Sequence, residues 1–304
     1  MGDCRVMITY KYSPKCAVVL APWEASSIVE AWKGRPLRDN IIVEVGHSRG
    51  QARLGVDGTI SGVSYCMGID EVTANVGGLE SAGLSNNKLL YYDSGAWFPL
   101  EVRSEGGYYK LAPTRRGSAP TLEINGIHMH RVASTDPISD TRAKIRAARI
   151  RRGVRVLDTC TGLGYTAIFS VLAGAASVVT VEVDVNVILI SEYNPWSHQL
   201  ADDRITTVNA DVVEYVRGLE PNSFDRIIHD PPRLTGRTGD LYSEDFYAEL
   251  YRVLRPGGIL YHYTGEPGRR RGYDFPGKIA GKLRRVGFHS IKYDRRALGL
   301  VAFK

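Results

Sequence analysis

Apolar and polar positions along this chain change their rhythm once, near residue 120. Before it, short alternating runs such as Ile41 to Val45 and Ala52 to Val56 predict half-buried strands, because successive strand side chains face opposite ways. Turn-forming text separates them, as in Val56-Asp57-Gly58-Thr59 and Ser104-Glu105-Gly106-Gly107. One stretch keeps helical spacing: Pro22 to Trp32 opens on Pro-Trp-Glu and places Ile28, Val29 and Trp32 on one side. The pattern predicts a smaller β-rich N-terminal domain over residues 1–120, with one early helix and no fixed-period repeat. Thr114 to Pro120 is its loop-like boundary.

After the boundary, Asn125-Gly126 sits between two alternating runs, Leu122 to Ile124 and Ile127 to Met129. Asn-Gly is a strong hairpin signal, since both central residues take positive φ. Ser139 is expected to cap a basic helix from about Asp140 to Ile150. From Val154 onward, strands and amphipathic helices alternate. Val154–Asp158, Ser177–Val183, Ile205–Val208, Phe224–His229 and Gly258–Tyr263 read as strands. Tyr165–Ala173, Val185–Glu192, Val212–Val216, Ser243–Leu254 and Gly277–Val286 read as helices. This alternation predicts an α/β, doubly wound, Rossmann-like sheet over residues 121–304. Two closing strands, Ser290–Tyr293 and Leu298–Phe303, predict an antiparallel edge.

Bulk properties narrow the class. The 304 residues are 43% hydrophobic and 24% charged, as in ordinary globular proteins. No membrane-length apolar run and no signal-like start occur, so a cytoplasmic protein without membrane association is expected. Cys4, Cys16, Cys66 and Cys160 lack metal-ligand spacing and are expected to be reduced thiols, with no metal bound. The formal charge of +6 is concentrated in two runs. One holds Arg142, Lys144, Arg146, Arg149, Arg151, Arg152 and Arg155; the other holds Arg269, Arg270, Arg271, Lys278, Lys282, Arg284 and Arg285. Such runs fit either solvated helix faces or nucleic-acid contact.

In open α/β sheets, ligands bind where strands end and helices begin. The first such junction reads Asp158-Thr159-Cys160-Thr161-Gly162-Leu163-Gly164-Tyr165-Thr166. Taken alone, Gly162-x-Gly164-x-x-Ala167 could be a dinucleotide loop. A carboxylate at the strand tip would repel a pyrophosphate, however, and would suit an ammonium or a sulfonium. Glu182 ends the next strand, where a carboxylate can accept two ribose hydroxyls. Asp211 follows the third strand in Val208-Asn209-Ala210-Asp211.

The fourth strand ends in His229-Asp230-Pro231-Pro232-Arg233. Two prolines cannot continue a central strand, so the chain must leave the sheet there. An exocyclic ring amine is a poor nucleophile, and acceptors for its two hydrogens would orient it and make it more tetrahedral. Asp230 and the Pro231 carbonyl are the candidates, with Pro232 stiffening the turn. Arg233 follows, with a guanidinium that can stack or bind phosphate. Tyr242 could supply an aromatic surface, whereas Phe246 reads as core. His128 and His130 could form a substrate-facing rim, while His229 reads as packed against the sheet.

The Asp-x-x-x-Gly-x-Gly loop resembles motif I of class I S-adenosylmethionine-dependent methyltransferases. Asp230-Pro231-Pro232 resembles the Asp/Asn-Pro-Pro-aromatic signature of those acting on planar amines. From about Leu122 onward, the chain resembles an archaeal group of class I methyltransferases. Asn194-Pro195-Trp196-Ser197, Leu241-Tyr242-Ser243 and Arg255-Pro256-Gly257-Gly258 extend the likeness. The resemblance implies S-adenosylmethionine as cofactor, held by Asp158, Thr159, Cys160, Thr161, Gly162, Gly164, Tyr165, Thr166, Glu182, Val183, Asn209, Ala210, Asp211, Val212 and Asp230. It implies catalysis at Asp230, Pro231 and Pro232, and substrate contact at Arg233, Tyr242, His128 and His130. Methylation of RNA is the implied activity, with a cytidine amino group of ribosomal RNA favoured. An Asp-Pro-Pro-Arg run also occurs in enzymes that methylate uridine through a cysteine adduct, but no cysteine follows Cys160 to serve that route. The Asn125-Gly126 hairpin resembles that of spermidine synthase-type aminopropyltransferases, which is the second reading. A non-catalytic RNA-binding module is the third.

Overall fold

The computed structural model describes residues 9–15, 17–34, 41–45, 50–61, 73–82, 87–265 and 274–304, with backbone alone at 41–45 and 50–52. Cys4, Cys16, Cys66 and Arg269 to Arg271 lie outside the described residues. The chain divides into two compact units. One comprises Met1–Lys11, Ser139–Val185 and Asp202–Lys304; the other comprises Tyr12–Ile138 and Asn186–Ala201.

This division differs from a boundary at residue 120. Thr121–Ile124 pairs antiparallel with both Ile127–His128 and Gly107–Ala112, which ties the hairpin to the second unit. At the other end of the chain, Thr9 bridges Val208 and the Tyr10 amide donates to the Thr207 carbonyl at 2.8 Å. The start of the chain therefore belongs to the first unit.

Among the described residues, the first unit is built on a seven-stranded sheet. Its strands are β1 (Arg155–Asp158), β2 (Ser177–Glu182), β3 (Ile205–Asn209), β4 (Phe224–His229), β5 (Leu254–Tyr263), β6 (His289–Asp294) and β7 (Gly299–Phe303). Their spatial order is β3-β2-β1-β4-β5-β7-β6, and the first five run parallel. All six residues of β4 are buried, as expected of a strand covered on both faces. The closing pair is antiparallel, as the sequence predicts, but the last strand inserts between β5 and β6. Its apolar Leu300 and Ala302 are buried, whereas polar β6 takes the outer position.

Helices α1 (Pro137–Ala147), α2 (Tyr165–Leu172), α4 (Val212–Arg217), α5 (Glu244–Val253) and α6 (Phe275–Val286) accompany these strands, whereas α3 (Val185–Glu192) falls almost wholly in the second unit. Leu157, Val181 and Ile227 from the sheet share one core with Phe246, Leu250 and Leu283 from the helices. Ser243 caps α5, accepting the Phe246 amide at 3.1 Å.

Helix α1 starts before the expected Ser139 cap. Asp136 accepts the Ile138 amide at 3.1 Å, and Pro137 takes a first-turn position where its missing N–H costs nothing. Nor is the first basic run one solvated face. Arg142 and Arg146 are exposed, whereas Ile138, Thr141, Lys144, Ile145 and Ala148 are buried at helical spacing.

Small antiparallel sheets and the helix Pro22–Lys33 make up the second unit. Ile28 from that helix shares a core with Val18, Leu20, Leu54, Ile60 and Leu90. The hairpin has φ of 50° at Asn125 and 80° at Gly126, the backbone that the Asn-Gly pair predicts.

Candidate active site

Strand order reverses between β1 and β4, since their crossovers leave to opposite sides. That makes the crevice beyond their C-terminal ends the expected ligand site. Asp158 ends β1, and Asp230 immediately follows β4. The Thr159 amide donates to the Ile228 carbonyl at 3.0 Å and couples the two strand tips.

Asp158 is fully buried. Its Oδ2 accepts hydroxyl hydrogens from Thr166 and Thr180, each at 2.9 Å, while its Oδ1 is buried without a hydrogen-bond partner. Burial pushes the carboxyl up to about 7, against the pull of the two threonines. The loop then turns at Gly162 and Gly164, with φ of 52° and 74°, and Gly164 is the N-cap of α2. A Cβ added at Gly162 would meet nothing within 4 Å, so the loop backbone faces open space.

Glu182 at the tip of β2 fixes that loop. Its Oε2 accepts the Gly162 amide at 3.0 Å, and its Oε1 accepts the Asp184 amide at 3.1 Å. Burial raises this carboxyl above its ordinary range even with those amides. Asn209 ties the β3 tip to the same place, donating from Nδ2 to the Glu182 carbonyl at 2.8 Å. Asp211 is exposed and caps α4 through the Val213 amide at 2.8 Å. Val183 is 69% exposed beside Glu182, an apolar surface at the crevice edge.

The other residues of the implied cofactor set have mixed placements. Thr161 hydrogen-bonds Thr180 at 2.7 Å, which sets the second hydroxyl on Asp158. Tyr165 and Val212 are buried at 2% and 5%, so only their backbones could face a ligand. Ala210 packs against the core of its unit. The Cys160 thiol, half-buried, is pushed well above its ordinary value by burial and then by Glu182.

Asp230 meets a residue the sequence did not single out for chemistry. Lys144 Nζ lies 2.6 Å from Asp230 Oδ2 and 2.8 Å from Asp140 Oδ2, and its side chain is 5% exposed. It also lies 5.0 Å from the centre of the Tyr263 ring. Burial opposes the lysine charge, but Asp230 and Asp140 outweigh it and hold the ammonium above its usual range. The sequence signal was the helical phase, which places Lys144 in the apolar stripe of α1.

Behind Asp230 the structure is closed. Pro231 is buried, Pro232 and Arg233 are exposed, and the Tyr242 hydroxyl donates to the Pro232 carbonyl at 2.7 Å. Tyr242 is 4% exposed and so does not present its ring to a base, contrary to the expectation. Its ring instead packs against His229, His262 and Phe275. Fully buried His229 has Nε2 2.9 Å from the Leu241 carbonyl and Nδ1 2.7 Å from the Thr159 hydroxyl. A carbonyl can only accept, so Nε2 carries the proton and Nδ1 accepts from Thr159. Burial holds this imidazole neutral, with its pKa lowered to about 4.

His128 and His130 belong to the second unit. His128 Nε2 lies 3.1 Å from Glu123 Oε2, and His130 Nδ1 lies 3.0 Å from the Thr121 hydroxyl. Among the described residues, no group of three or more His, Cys, Asp and Glu side chains could hold a metal ion. None of the described helices is long and apolar enough to cross a membrane.

Comparisons with known proteins agree with this architecture. The Spermine/spermidine synthase domain family matches residues 164–270. Spermidine synthase from Thermotoga maritima superposes with a TM-score of 0.52 at 21% identity, over 67% of this chain and 70% of that one. Ribosomal RNA large subunit methyltransferase I of Shewanella frigidimarina is 30% identical over 183 residues, 54% of this chain. The chain spans less than half of that relative, 46% of its length. The uncharacterized protein MJ1233 of Methanocaldococcus jannaschii is 46% identical over 227 residues, 74% of this chain and 77% of that protein. The chain belongs to the family of that archaeal protein, on the α/β fold that spermidine synthase also has.

Proposed function

We propose that this protein is an S-adenosylmethionine-dependent methyltransferase acting on an exocyclic amine of an RNA base, with a cytidine of ribosomal RNA the favoured acceptor. The observation that carries this reading is the pair Asp158 and Asp230, two carboxylates at the tips of adjacent strands β1 and β4. The unpartnered Asp158 Oδ1 and the open backbone at Gly162 fit the cationic methionine part of the cofactor. Glu182 would take the ribose, with Val183 and Asp211 nearer the adenine.

When bound, S-adenosylmethionine supplies an electrophilic methyl carbon on a sulfonium leaving group. Asp230 and the Pro231 carbonyl accept the two amine hydrogens and aim the nitrogen lone pair along the line of displacement. Asp230 or solvent would take the proton that the acceptor nitrogen gives up on methylation. Tyr242 anchors the Pro232 peptide, and His229 stays neutral behind the strand. Exposed Arg142 and Arg146 supply positive charge for RNA phosphates.

Two measurements test this. Nucleosides from RNA of a deletion strain should lack one methylated cytidine or adenosine, restored by the wild-type gene. Asp230→Ala should abolish methyl transfer while calorimetry still registers S-adenosylmethionine. An unchanged nucleoside profile would sink the RNA assignment. The match to the Spermine/spermidine synthase domain supports a second reading, aminopropyl transfer to a polyamine. Turnover of putrescine with decarboxylated S-adenosylmethionine, and none with RNA, would favour it.

A further inference from the structure

Lys144 is a costly residue to bury. A lysine inside an apolar helix stripe loses its hydration, and an apolar side chain would pack there without that penalty. Yet its side chain is 5% exposed, and its ammonium bridges Asp140 at 2.8 Å and Asp230 at 2.6 Å, beside the Tyr263 ring. The carboxylate it reaches is the acceptor carboxylate itself. The bond is made through Oδ2, and Oδ1 is the oxygen left for an incoming N–H.

Acceptor amines fall into two charge classes. An aliphatic amine such as a polyamine arrives protonated and seeks a carboxylate as its counter-ion. An amine on an aromatic ring arrives neutral and needs only an acceptor atom. A cation docking on Asp230 would meet the Lys144 ammonium already on the same carboxylate, whereas a neutral amine would not be repelled.

We propose that Lys144 sets the charge class of the acceptor: by pairing with Asp230 from the protein side, it admits uncharged amines and disfavours polyamines. The inference rests on Asp230 being the acceptor carboxylate. It makes Lys144 a specificity determinant that acts through Asp230.

The test is a calorimetric titration of the full chain with putrescine and with spermidine, in the presence of S-adenosylhomocysteine. Wild type and Lys144→Arg should bind these polyamines at least tenfold more weakly than Lys144→Met. Adding Asp230→Asn to Lys144→Met should remove the gain. Lys144→Gln, which keeps a polar head, serves if the methionine variant does not fold. A folded Lys144→Met or Lys144→Gln that binds S-adenosylhomocysteine but gains no polyamine affinity would overturn the proposal. So would tight polyamine binding by the wild type, whatever the variants do. The titration needs no turnover, so failure of the wild type to methylate RNA would count against the proposed function alone.

Discussion

Glu182 Oε2 accepts the Gly162 amide at 3.0 Å, so the acid at one strand tip holds the glycine loop of the next. Both carboxylate oxygens work, since Oε1 accepts the Asp184 amide. Glutamine has one acceptor oxygen and cannot satisfy both. Glu182→Gln and Glu182→Ala should each weaken S-adenosylmethionine binding by about tenfold or more, as expected for charge-assisted hydrogen bonds of roughly 1.5–3 kcal/mol. Calorimetry measures the affinity, and faster amide exchange at Gly162 would report the loosened loop. Unchanged affinity in both variants would remove Glu182 from the site.

Asp158 carries a stability consequence with a definite sign. Its folded pKa of about 7 lies above the ordinary 3.8, so the folded protein binds this proton more tightly than the unfolded chain. Its contribution is fully present below the ordinary value and is lost as pH rises through 7. At roughly 1.4 kcal/mol per pH unit the span is about 4 kcal/mol. Asp158→Asn should abolish this falling component of urea-unfolding stability across that window.

The same titration bears on the proposed cofactor. A cationic ligand needs Asp158 ionised, so affinity for S-adenosylmethionine should rise between pH 6 and 8 with proton release. Calorimetry in buffers of different ionisation enthalpy counts that proton. Asp158→Asn should bind more weakly and without the pH slope.

His229 acts with the opposite sign. Its pKa is lowered from 6.5 to about 4 by burial, so its contribution is present above 6.5 and lost as pH falls through 4. Replacing it with phenylalanine should flatten the acid side of the stability profile. It should also leave the Leu241 carbonyl without its donor, at a cost of about 1–3 kcal/mol.

Tyr242 is buried for its hydroxyl as much as for its ring. Tyr242→Phe removes the bond to the Pro232 carbonyl and should cost about 0.5–1.5 kcal/mol of stability. On the proposed reaction, methyl transfer should slow while cofactor affinity holds, because Pro232 adjoins the proposed acceptor carboxylate. Equal losses in both would place Tyr242 in the general scaffold.

Strand and helix periodicity made the α/β half legible, and each expected strand from β1 to β7 is found within a few residues of its expected bounds. Carboxylates at strand tips were legible for the same reason: in an alternating fold, position in the element fixes position in space. What stayed hidden were contacts between distant segments. Thr180 reads as one more strand residue, yet its hydroxyl sits on Asp158. Lys144 counts as one more member of a run of positive charge, because a charge count ignores helical phase. Tyr242 reads as available because an aromatic beside Asp230-Pro231-Pro232 carries no sign of which way its ring turns.

The bridge from Thr9 to Val208 lends the first unit a short piece of backbone from the far end of the chain. That piece covers the open side of β3, which otherwise presents unpaired amides and carbonyls. Excising residues 1–120 would strip this cover and leave a sticky margin through which one truncated copy could pair with another. Dissecting the molecule at its apparent seam would therefore yield self-associating fragments rather than a smaller enzyme.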